Sequence, residues 1–162
     1  MTSVLDLNER GNLLRQLKDK FEELKSELGF KSSFHEIDKI FYIQDSILNA
    51  GFVAESFDRQ ICARIVDTYM GWNNYLHNLV MPDSHSMIQM NESKLLNDVD
   101  KKEILQVIAD SMRIVSMNLV IGIGRDKNVE AQFIDNSVEF WNRHYSSSVF
   151  RIVKKINDGW NK

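Results

Sequence analysis

One cysteine, Cys62, and one proline, Pro82, stand among 162 residues. A lone thiol excludes an internal disulfide and any zinc site built from several cysteines. With one proline and seven glycines, breakers are scarce, so long helices are expected and no stretch reads as an interdomain linker. No apolar run approaches the roughly 18–20 residues of a membrane span. The opening MTSVLDLNERGN lacks the basic start and apolar core of a secretory signal. A cationic excess is missing too: the net charge of −3 argues against non-specific nucleic-acid binding. These absences point to a cytoplasmic protein with one domain over 1–162, long enough to bury a core.

Several helical chemistries are excluded by spacing. No glutamate has a histidine three residues on, as di-iron bundles require, and no His-Glu-x-x-His occurs. Glu55-x-x-Asp58 fits half of a magnesium-binding pair, but acids are expected at a helix start. Gly122-x-Gly124 lacks the third glycine of a dinucleotide loop. Cys62 lies among Phe57, Ile61, Ile65 and Val66 and reads as a small buried hydrophobe.

What remains is helical periodicity, strongest from Phe52 to Met81. Phe57, Ile61, Ile65, Tyr69, Trp72, Leu76 and Leu79 recur every three or four residues and form one wide apolar stripe. Gln60, Arg64, Asp67, Gly71, Asn74 and Asn78 form the opposite, water-facing stripe. Asn73 interrupts the apolar row Val66–Tyr69–Leu76–Val80, which predicts a buried amide with hydrogen-bond partners such as Tyr69 or nearby backbone. Asn118 and Asn136 are further candidate interior amides.

The other elements follow. A first helix from about Leu5 to Leu28 carries a narrow heptad-like seam of Leu7, Leu14, Leu17, Phe21, Leu24 and Leu28, stopped by Gly29. Such a seam suits one neighbouring helix, in the same chain or in a second copy, and it favours a homodimer. Ser33 to Glu36 is a capping box that opens a second helix ending at Ala50-Gly51. Residues 84–99 could be a short helix or an ordered loop. Asp100 to Glu103 resembles the start of a further helix reaching Gly124, polar only along Gln106, Asp110 and Arg113 and therefore expected in the core. A fifth helix spans about Lys127 to Tyr145, and Ser148 is placed to cap a short last one.

The expected fold is all-α, an antiparallel bundle of five or six helices. In a simple up-down bundle His35, His77, His85 and His144 would gather at one end, which makes His77, His144 and His35 candidate metal ligands. Asn73, His77, Trp141 and Tyr69 are the candidate ligand-binding residues. Two functions are consistent with this pattern. One is a non-catalytic bundle acting by self-association or by binding a protein or small ligand, without nucleic acid or membrane. The other is a metal-dependent hydrolase or transferase built on the histidines. The identity of any cofactor is not specified by the sequence.

Overall fold

A computed structural model describes residues 5–162. Among them the chain is all-α, without strands. Eight α-helices and one π turn follow in order: α1 (Leu7–Leu28), α2 (Phe34–Phe41), α3 (Ile43–Ala50), α4 (Phe57–Val80), α5 (Met87–Lys94), α6 (Asp98–Gly124), α7 (Lys127–Phe140), the π turn (Trp141–Tyr145) and α8 (Ser146–Trp160).

α4 is the axis of the bundle. Arg59 of α4 bonds Asn118 of α6, and further along Asn73 bonds Ser111, so α6 runs antiparallel to α4. Cys62 meets Glu130, Tyr69 meets Ser137 and Asn73 meets Tyr145, so α7 and the π turn run parallel to α4. The α4 stripe is buried as its spacing predicts, except for Trp72, which stays at the surface.

α1 ends at Gly29 in the left-handed conformation that favours glycine. Its seam is filled from within the chain: Leu13, Leu17, Phe21, Leu24 and Leu28 are buried against α3, α4 and α7. Leu7, expected to begin that seam, is exposed, and Leu13 takes the inward place.

The expected second helix divides into α2 and α3 at Tyr42, which adopts φ 54° and ψ 50°. The left-handed residue turns the chain, so Ile37, Ile40 and Phe41 on one side and Ile43 and Ile47 on the other all face the core. α4 starts at Phe57 rather than Phe52, which is exposed. α6 begins at Asp98, two residues before the Asp100 start that the sequence pattern suggests, because Asn97 and Asp100 form a reciprocal capping box.

The break expected between the fifth and last helices is absent. α7, the π turn and α8 form one rod from Lys127 to Trp160, about 51 Å long at 1.5 Å per residue. Ser148 lies inside it and caps nothing. The rod buries Glu130, Ile134, Val138, Tyr145, Val149, Ile152 and Ile156. Seven turns at 3.6 residues use about 25 residues, one fewer than separate Glu130 from Ile156, and the π turn absorbs the extra one.

Candidate functional site

Asn73 lies in the interior as its position in α4 predicts, but its partners come from elsewhere than expected. Its amide donates to the Ser111 hydroxyl at 2.8 Å, and its carbonyl accepts from the Tyr145 hydroxyl at 2.8 Å. The Ser111 hydroxyl in turn donates a hydrogen bond to the Ile108 carbonyl of α6. Tyr69 donates instead to the Ser137 carbonyl at 2.6 Å. Tyr69, Tyr145 and Trp141 pack ring against ring, with centroids 4.9–5.7 Å apart. Burial raises both phenol pKa values, so these hydroxyls stay protonated donors. The polar atoms of Asn73 are thus occupied, and the group ties α4, α6 and the π turn together as a satisfied core network.

The four ligand-binding candidates therefore separate. Asn73, Tyr69 and Trp141 belong to this cluster, whereas His77 is exposed outside it. His35, His85 and His144 are exposed as well, and His144 rests beside the Phe140 ring. Among the described residues no three His, Cys, Asp or Glu side chains gather closely enough to hold a metal ion. His77, His144 and His35 accordingly do not form the shell that an up-down bundle would assemble. Asn136 is exposed rather than interior, since its helix turns Phe133 and Ser137 inward instead. Asn118 is half-buried, and its carbonyl receives the Arg59 guanidinium.

A less visible group sits where the ends of α1 and α6 meet the starts of α4 and α7. A cavity of about 360 Å³ opens there, lined by Lys20, Asp58, Arg59, Arg125, Lys127 and Glu130 among others. Glu130 is only 4% exposed, and it accepts a hydrogen bond from the Cys62 thiol. Burial first, then the adjacent Asp58 carboxyl, push the Glu130 pKa up to about 7, with Arg59 opposing. The Cys62 thiol is driven well above its ordinary range by the same burial and by Glu130. Arg59 holds Asn118 with one terminal nitrogen, while its buried Nη1 has no hydrogen-bond partner among the described residues. Lys127 is paired with Glu27 across the mouth. Glu130 has no distinguishing signal in the sequence, because an acid in the first turn of a helix looks like an ordinary partner of the helix dipole.

The third feature is on α6. The expectation that its second half lies in the core is overturned: Leu119, Val120 and Ile123 are 70%, 62% and 91% exposed. α6 is also long and apolar enough, by length and composition, to cross a membrane, although the charged Asp110 and Arg113 lie within it. Its most apolar 18-residue window has a mean hydropathy of 1.5, yet only 28% of it is buried. Leu105, Ala109, Met112, Ser116, Leu119 and Ile123 are all exposed and recur every three or four residues, so they share one face. The seam runs about 27 Å along the helix. Its heptad spacing is that of a helix–helix contact, and among the described residues only Met112 of this face is largely covered, its sulfur lying 3.7 Å from the buried Asn73 amide.

Comparison of the chain with protein-family models, with curated proteins and with solved structures gives no match in any of the three.

Proposed function

We propose that this protein acts by self-association, as a helical bundle that uses the bare face of α6 to bind a second copy of itself. The observation that carries the reading is the uncovered heptad seam from Leu105 to Ile123. A run of large apolar side chains at helical spacing costs free energy in water, and proteins that carry such patches use them for contact. The seam of α1, from which the sequence suggests a dimer, is already filled by α3, α4 and α7, so α6 is the face left for a partner. Measuring native mass by sedimentation tests the reading. Wild type should shift from monomer to dimer as concentration rises, and Leu119→Glu with Ile123→Glu should stay monomeric with an unchanged melting curve. A wild type that remains monomeric to roughly 100 μM would sink it.

A second reading has its own observation. The buried Nη1 of Arg59 and the buried carboxyl of Glu130 line one open cavity, the arrangement that small polar ligands and proton-transfer chemistry use. Under this reading any catalysis belongs to Glu130 as acid or base, rather than to the histidines. A thermal-shift screen with small carboxylates, phosphates and amines tests it. Stabilisation that Arg59→Lys abolishes supports a ligand site, and none across the screen removes the reading.

A further inference from the structure

We infer that the two copies pair through α6 in an antiparallel register centred near residue 114. This rests on the reading of α6 as the self-association face and fixes how that face is used. From Leu105 to Leu119 the seam alternates large and small side chains, and a two-fold axis at residue 114 matches large to small in the layers nearest the axis. Met112 of one copy meets Ser116 of the other, Ala109 meets Leu119, and Leu105 meets Ile123. Each pair of positions has the same sum, so a single two-fold places all three layers at once. The Met112–Ser116 and Ala109–Leu119 layers then each hold one large and one small group, and the outer Leu105–Ile123 layers join two large ones. A parallel pairing stacks Met112 on Met112 and Ser116 on Ser116, alternating crowded with empty layers, and both overpacking and voids destabilise.

Electrostatics agree with this register. Antiparallel helices oppose their dipoles, so the positive end of each α6 lies beside the negative end of the other. The charges of α6 that flank the axis, Asp110 and Arg113, are already paired within the helix at 3.3 Å. They therefore bring no net charge to the axis. One helix pair about 27 Å long makes a contact at the small end of protein interfaces, so a dimer that dissociates on dilution is expected.

The lone native thiol makes the register directly testable. Cys62 has no exposed surface, so a cysteine placed on α6 is the only thiol within reach of a reagent in the folded protein. Ala109→Cys and Leu119→Cys are both at exposed positions and leave the core untouched. In the antiparallel register residue 109 faces residue 119 of the partner, while two copies of either position are about 15 Å apart along the axis. A short bismaleimide should thus couple a mixture of the two variants several-fold more than either variant alone. Strong coupling of each variant alone, with a dimeric mass, overturns the register but leaves self-association standing. No coupling in any mixture with a monomeric mass defeats both. If the protein instead floats as a monomer with phosphatidylcholine vesicles, a lipid surface is the occupant and the inference fails.

Discussion

Asn73 is held at both ends of its amide, by the buried Tyr145 hydroxyl and by the Ser111 hydroxyl that also donates to the Ile108 carbonyl. Replacing it with alanine leaves the Tyr145 hydroxyl and the Ser111 hydroxyl each short of one bond. Asn73→Ala should therefore cost about 1–3 kcal/mol in urea unfolding. Tyr145→Phe removes the donor on the other side of one bond, so the double variant should lose less than the sum of the two singles. Strict additivity would show that the two side chains act independently. Glu130 gives a second test. Its carboxyl is favoured in the protonated form by the fold, so its contribution is fully present below the unfolded value of 4.5 and is lost as pH rises through about 7. The charged groups facing it, Asp58 and Arg59, act in opposite directions, with Asp58 the larger. Wild-type stability should fall by about 3 kcal/mol across that window, and Glu130→Gln should flatten the fall and be the more stable protein at pH 8. Equal pH profiles for the two proteins would rule out a buried, raised carboxyl.

At the level of helices, the readable parts were those whose cause is local. The α4 stripe, the Ser33–Glu36 capping box and the Gly29 stop each depend on a few neighbouring residues, and each lies where the pattern put it. Tyr42 was hidden because tyrosine carries no sequence signal for a left-handed turn. Its φ of 54° costs about 1 kcal/mol relative to glycine, and its ring is exposed, so Tyr42→Gly should raise stability by up to about that amount in thermal melts. The π turn was hidden for another reason. Nothing in Trp141 to Tyr145 asks for a wider turn, and the need appears only when the inward faces of α7 and α8 are compared. Deleting the exposed Asn142 should convert this turn to α-helix and keep both faces in phase, costing on the order of 1–2 kcal/mol. Deleting the exposed Ser116 from α6 rotates everything beyond it by about 100°, which should be far more damaging by circular dichroism.

Over the whole molecule, what the sequence could not supply was the count of neighbours each helix would find. α6 reads as a core helix because apolar residues surround its second half, yet α4, α7 and α8 cover only part of it. The cavity at Arg59 and Glu130 is assembled from four helices distant in sequence, and no local pattern announces such a meeting. The same meeting has a kinetic consequence. Cys62 is sealed between α4 and α7 with its thiol protonated, so a disulfide reagent reaches it only in molecules where those helices have parted. The rate at which native protein reacts with such a reagent is therefore a clock for opening. Its logarithm should climb with urea on the slope of global unfolding if the pair separates only when everything does. A shallower slope would mean that the end of the bundle around Glu130 breathes by itself, and would give the free energy of that motion without any added label.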